Sequence, residues 1–183
     1  MIGKTLPEIE NAITKITTAF FEPALDYIAI KFPRWDLHKF RKVSDTIATE
    51  MKSVGEVMAL GRTFPEAVQK AIRMLAIGAD GVLDSPRQYE TNEELKTDII
   101  TASPRRMFAI AQALYKKIFT IEQIWEMTKI DHWFLQQLKR IADMALNLDK
   151  EDLTDELLLS AKKLGFSDME IAKRVSKTFE EVR

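Results

Sequence analysis

Apolar positions change period along this chain. From Thr63 onward they recur every three or four residues. Phe108, Ala111, Gln112 and Tyr115 share one face, with Met107, Ala111 and Leu114 beside it, and Phe134, Leu138, Ile141 and Ala145 share another. That spacing marks amphipathic helices. Before Thr63 the texture is mixed. Leu25–Phe32 is a β-branched and aromatic run with Ile28, Ile30 and Phe32 on alternate positions, and Pro33, which cannot donate to a ladder, closes it. A second strand is expected over Met51–Leu60, through Val54, Val57 and Met58, closed by Gly61. Two or three strands do not make a stable sheet alone, so this half reads as incomplete.

Helix starts are marked by Ser or Thr followed three residues later by Glu or Gln, the pattern that satisfies two orphan N–H donors reciprocally. It occurs at Thr5/Glu8, Thr63/Glu66, Thr91/Glu94, Thr120/Gln123, Ser167/Glu170 and Thr178/Glu181, and Ser103-Pro104 supplies a further start. The spacing predicts helices over 7–17, 65–77, 92–101, 104–117, 121–128, 131–147, 152–164 and 168–175, with a last one beginning near 179. Gly165 acts as a C-terminal stop. The segment from Thr120 resembles the segment from Ser167, a 47-residue offset, each a capped short helix, a tight turn at Lys129 or Lys177, and another helix start. The expected fold class is therefore mainly α, a helical bundle with a small N-terminal β element.

Composition narrows the function classes. At 183 residues, 46% hydrophobic and 30% charged, the chain is one globular domain or one plus part of another, and disorder is excluded. The absence of Cys excludes disulfides, a thiolate zinc site and a cysteine nucleophile. Lys and Arg number 27 against 28 Asp and Glu, so no bulk charge draws the chain to nucleic acid or anionic lipid. No apolar run approaches a membrane span and no signal-peptide pattern is visible, so the expected location is cytoplasmic.

Candidate chemistry is sparse. His38 and His132 stand far apart, neither at ligand spacing with another metal-binding residue. The glycines are scattered and make no phosphate cradle. Acids such as Glu93, Glu94, Asp149, Glu151 and Asp152 sit at helix starts, where they meet the helix dipole. The helix-turn-helix shapes raise a stand-alone nucleic-acid-binding module as an alternative, with Lys162, Lys163, Lys173, Arg174 and Lys177 as phosphate contacts. Asp168, Glu170, Glu180 and Glu181 interleave with these, and the first copy carries Trp125 and Glu126 where polar readers are wanted. A helix pair packed inside a bundle is the competing reading. A weaker third reading leaves residual nucleotide affinity in the strand region.

Three stretches are more specific than any periodicity: Phe21–Phe40, Met51-Lys-Ser-Val-Gly-Glu-Val-Met-Ala-Leu-Gly-Arg-Thr-Phe64, and Thr128-Lys-Ile-Asp-His-Trp-Phe-Leu135. Together with 105–112 and 161–168 they resemble the carbamoyl-phosphate synthase large-chain family, in order along essentially the whole chain. That family joins bicarbonate, glutamine-derived ammonia and two ATP into carbamoyl phosphate for arginine and pyrimidine synthesis. It uses two ATP-grasp halves separated by a helical oligomerisation domain. The resemblance implies that residues 1–76 are the tail of the first, carboxyphosphate-forming ATP-grasp unit and 77–183 the oligomerisation domain. It implies an internal piece with no catalytic, cofactor-binding or metal residues of its own, inactive alone, whose parent is an ATP- and magnesium-dependent carbon–nitrogen ligase. Expected partners are other large chains, in a homo-oligomer, and a glutaminase small chain through the rest of the parent, with no nucleic acid and no membrane. The cytoplasmic expectation leaves a mitochondrial location open if the source is eukaryotic. One site residue carries over: Glu56, in the Met-Lys-Ser-x-Gly-Glu-Val motif, corresponds to a glutamate associated with the family's carbamate tunnel. Read from the residues alone, it is an acid in an apolar strand that needs a partner if buried.

Overall fold

The computed structural model describes residues 3–20, 24–85 and 87–183, and for His38 the backbone alone. Residues 21–23 of the first family-like stretch, and the His38 side chain, lie outside the described residues.

Two antiparallel strands, β1 (Ile28–Arg34) and β2 (Gly55–Gly61), are followed by α1 (Phe64–Met74), α2 (Asn92–Ile100), α3 (Arg106–Tyr115) and α4 (Ile121–Thr128). The long α5 (His132–Leu148), α6 (Asp155–Lys163), α7 (Asp168–Val175) and α8 (Phe179–Val182) complete the chain. The architecture is mainly α with one two-stranded sheet, in the register Ile28↔Gly61 to Arg34↔Gly55. The sheet lies on α1. Its inner face carries Ile28, Ile30, Phe32, Val57 and Ala59, while Met58 and Leu60 point outward.

The core is helical. α3 is buried from Phe108 to Leu114 and lies between α2 and α5. α5 contributes Leu135, Leu138, Ile141, Ala142, Ala145 and Leu148 to it. The buried stripe of α5 thus begins at Leu135. Phe134 stands at its edge, exposed, because it packs sideways against Phe64 of α1, ring centroids 5.5 Å apart.

Three expectations fail in the N-terminal part of the chain. Residues 7–17 are not a helix: a 3-10 turn over Leu6–Glu8 leads into a short loop closed by a Glu10↔Thr18 bridge. The Asn11 carboxamide accepts from the N–H groups of Ile13 and Thr14, and Thr14 and Thr17 bond to each other. Local side-chain bonds of this kind compete with helix, and Ile13 and Ile16, almost fully exposed, find no core to dock on. Nor does Pro33 end β1. The strand runs through it to Arg34, since each strand of a two-stranded sheet is an edge, where a missing N–H is tolerated. β2 starts at Gly55, not Met51, which is exposed.

Seven helix starts carry the hydroxyl or carboxylate cap that the sequence pattern calls for or allows. Thr63, Thr91, Thr120, Thr154, Ser167 and Thr178 each accept an N–H from the residue three positions on, and Asp131 accepts from Trp133. The reciprocal half of the box forms at Thr91, Thr120 and Thr178. At Thr63 the Glu66 carboxylate reaches one residue further back, to the N–H of Arg62. At Ser167 the Glu170 carboxylate turns inward instead, for reasons given below.

The 47-residue repeat is larger than two helices. Helices α3-α4-α5 correspond to α6-α7-α8. Thr120 and Ser167 cap the middle helix, Asp131 and Thr178 cap the third, and Ile124/Ile171 and Leu135/Val182 are buried at equivalent positions. The second copy turns at Ser176 and not at Lys177: Ser176 has φ 54°, as Lys129 has φ 57°. Each first helix also ends alike, at Lys117 (φ 57°) and Gly165 (φ 88°), with the next N–H bonded back to Ala113 or Ala161.

Candidate functional site

The strand-bearing α1 is fastened to the helical repeats by buried polar side chains. Gln69 lies within the otherwise apolar stripe Ala67, Val68, Ala71 and Ile72 and is fully buried. Its Oε1 accepts from the Val82 N–H at 2.8 Å, and its Nε2 donates to Glu170 Oε2 of α7 at 3.3 Å. One turn on, Arg73 donates to the carbonyls of Gly165 (2.8 Å) and Asp80 (3.2 Å). Lys173 of α7 then pairs with Asp80 at 2.7 Å. Gly81 lies against this joint: a Cβ there meets Glu170 Oε2 at 2.7 Å and Gln69 Oε1 at 2.8 Å, so any larger residue shifts the two side chains that form it. Glu170 is 4% exposed, and burial pushes its carboxyl up to about 7, partly opposed by Arg174 and Arg73.

A second joint centres on Asp98, 3% exposed on α2 between Leu95 and Ile99. It accepts from Arg87 (3.2 Å), Tyr89 (3.0 Å) and Arg105 (3.2 Å), and Arg105 also pairs with Asp45 at 2.8 Å. Burial, with the bond to Asp98, pushes the Tyr89 phenol up to about 12. The segment ahead of β2 is thereby tied to the start of α3.

Glu56 is on the outer face of β2, opposite Pro33, and makes a cross-strand ion pair with Lys31 at 2.9 Å. Both side chains are more than half exposed, and Met58 and Leu60 extend the same open face. The acid therefore has its partner without being buried.

The five basic residues of the nucleic-acid alternative are not a free cationic surface. Lys162 pairs with Asp168, Lys173 with Asp80 and Arg174 with Asp149, while Lys163 and Lys177 are exposed. The helix that would enter a groove, α8, carries Glu180 and Glu181. His132 is stacked on Trp125, centroids 5.1 Å apart. Among the described residues no group of three or more His, Asp or Glu side chains converges as metal ligands. Among the described residues the two buried acids of the joints, Asp98 and Glu170, are held among Arg, Tyr and Gln donors.

Residues 56–183 match the family model described as the carbamoyl-phosphate synthetase large chain, oligomerisation domain. The chain belongs to this family. Similarity extends past that span: over its whole length the chain is 44% identical to the carbamoyl phosphate synthase large chain, N-terminal section, of Aquifex aeolicus, covering 32% of that protein. It is 45% identical, again over its whole length, to the arginine-specific large chain of Cutaneotrichosporon cutaneum and to the mitochondrial arginine-specific large chain of Neurospora crassa, covering 15% and 16% of them. The chain thus spans about a third or less of these relatives. In this member of the carbamoyl-phosphate synthetase large-chain family the matched span starts at Glu56 itself and includes both copies of the repeat, the first joint, and the second joint apart from Asp45. Gln69 and Asp98 were not singled out by motif, and Glu170 only as the capping partner of Ser167. A polar residue within an apolar helical stripe, as at Gln69 and Asp98, is the signal that marks two of them.

Proposed function

We propose that this chain is a non-catalytic segment of a carbamoyl-phosphate synthase large chain. Residues 1–76 are the tail of its first ATP-grasp unit and residues 77–183 its helical oligomerisation domain. The parent is an ATP- and magnesium-dependent ligase that makes carbamoyl phosphate from bicarbonate and glutamine-derived ammonia, working with a glutaminase small chain. The segment's work is mechanical: it associates with other large chains and fixes the separation of the two ATP-grasp halves. The observation that carries this reading is the Gln69–Glu170 joint with its Arg73 brace. It clamps the helix under the sheet to the helical repeats, so that whatever the sheet continues into is held rigidly against them.

Light scattering coupled to size exclusion, over a wide concentration range, tests the associating role. The expected result is a dimer or larger species that weakens on dilution. A monomer throughout would remove it.

Glu56 lines the path of the carbamate intermediate in the intact parent. Supporting this are its place in the Met51–Phe64 motif and its exposure on the open face of the sheet, beside Lys31, where the rest of a longer chain can cover it. In a full-length enzyme Glu56→Ala is expected to lower carbamoyl phosphate formed per ATP hydrolysed, while bicarbonate-dependent ATP hydrolysis persists. An unchanged ratio would sink the assignment. The location proposed is cytoplasmic, with a mitochondrial one left open for a eukaryotic source.

A further inference from the structure

Comparison of the two repeat copies separates side chains that the fold needs from those it does not. Where both copies are buried, both are aliphatic, as at Ile124/Ile171 and Leu135/Val182. Just after the cap of the third helix both copies are exposed, and there they diverge. Trp133 and Phe134 stand on α5 where Glu180 and Glu181 stand on α8. The same capped helix start accommodates two acids, so the aromatics are not a requirement of the turn.

These aromatics pack on Phe64, and the adjoining residue His132 carries a second ring pair. Phe64 meets Trp133 edge-on at 5.3 Å and Phe134 at 5.5 Å, His132 lies on Trp125, and Lys129 sits over the Trp125 ring at 4.2 Å. Trp125, Trp133 and Phe134 remain 37%, 49% and 44% exposed. Their open area sums to roughly 300 Å², in the range of the largest apolar patch on an ordinary monomer, which is often a functional one. The middle helix of the second copy is covered at Glu170, Ile171 and Ala172, whereas α4 buries only Ile121 and Ile124 and exposes Trp125, the counterpart of Ala172. The border carries both signs: Glu122 and Glu126 on α4, Lys129 after it, and Arg140 on α5. Among the described residues Glu122, Glu126 and Arg140 make no ion pair within the chain. A two-fold axis through such a patch can set the acids of one copy against the bases of the other.

We propose that the aromatic surface formed by Trp125, His132, Trp133 and Phe134 is the contact through which two copies of this chain associate. The proposal rests on the associating role argued above and names the surface that carries it; the patch lies wholly within the span matched to the oligomerisation domain. Aromatic side chains at the centre of an interface carry most of its affinity.

The test replaces both third-helix aromatics with the acids of the sister copy, Trp133→Glu and Phe134→Glu together, in the 183-residue chain. The double variant is expected to keep its helical circular dichroism and to raise the dissociation constant of the dimer by roughly a hundredfold, as loss of a hot-spot pair does. A second measurement does not depend on that variant's folding. With Trp35→Phe, only Trp125 and Trp133 remain to report, and their emission is expected to move to shorter wavelength as concentration rises. A chain that associates with the double variant as tight as wild type, or with no concentration-dependent emission shift, overturns this surface but leaves the associating role standing. That outcome includes a patch reserved for the rest of a longer chain. A wild-type chain that stays monomeric overturns both.

Discussion

Gly165→Ala is expected to be among the most destabilising single-methyl additions in this chain. Two independent costs meet there. With φ at 88°, Gly165 ends α6 in the left-handed region, where an L side chain costs about 1–2 kcal/mol. A Cβ at this position also lies 2.9 Å from the Glu66 Cα, 3.0 Å from the Glu66 carbonyl oxygen and 2.9 Å from Gln69 Cβ. Two of those atoms are the backbone of α1, which cannot swing aside as a side-chain tip can. Forcing the helices apart adds about 1–3 kcal/mol. It also pulls the Gly165 carbonyl away from Arg73. The sum, on the order of 3 kcal/mol, lowers the unfolding midpoint by roughly 10 °C in a chain of this size. Gly78→Ala is the control. Its φ is 80°, but nothing lies within 4 Å of the added Cβ, so it carries the conformational cost alone. Thermal unfolding of both variants checks the argument. Equal midpoints would mean that the close approach of α6 to α1 contributes nothing.

The close approach at Gly165 also marks the limit of what the residues disclose. Helix starts were legible because capping is local. Thr91, Thr120 and Thr178 hold the reciprocal bonds that their three-residue spacing implies, and the helices they open lie where the periodicity puts them. The stop at Gly165 was legible for the same reason. Thr5/Glu8 has the same spacing, and its hydrogen bond forms, yet only a 3-10 turn follows. A cap starts a helix but does not sustain one, and Ile13 and Ile16 have no surface to pack on. Ser167/Glu170 misleads in the opposite way: the cap forms, but the glutamate belongs to a partner 101 residues away, Gln69. No spacing rule reaches that far. Glu56 was legible as a motif position only; its pairing with Lys31 and its place on the open face follow from strand register, which a proline at position 33 obscured. Exposure of Trp133 and Phe134 was illegible too, since helical spacing alone does not say which face the neighbouring helix takes.

Stability is expected to fall as pH rises from about 5 to 8, and Glu170 is the cause. Its carboxyl is held at about 7 in the folded chain against a reference value of 4.5, because burial disfavours the charged form. The groups facing it come from three sides: Gln69 and Arg73 from α1, Asp80 and Asp84 from the loop after it, and Arg174 and Lys173 from its own helix. Arg174 is the nearest cation, but at 3.9 Å, and its Nη1 is engaged by Asp149, so the Glu170 charge is not fully compensated. Between the two values the folded state holds a proton that the unfolded state has released. Stability therefore declines as pH climbs through this window and levels off above the folded value. The whole effect is on the order of 3 kcal/mol. The carboxyls held below their ordinary value, Glu66 and Asp36 among them, lose stability only as pH falls through their own lower range, and so do not mask it. Glu170→Gln preserves size and can still accept from Gln69 through its amide oxygen. It is expected to match wild type near pH 5 and to exceed it by about 2–3 kcal/mol near pH 8, measured by urea unfolding across the range. A wild-type chain whose stability is flat or rising over this window, or a variant no more stable than wild type at pH 8, would show that the joint between α1 and α7 holds a charged glutamate without strain.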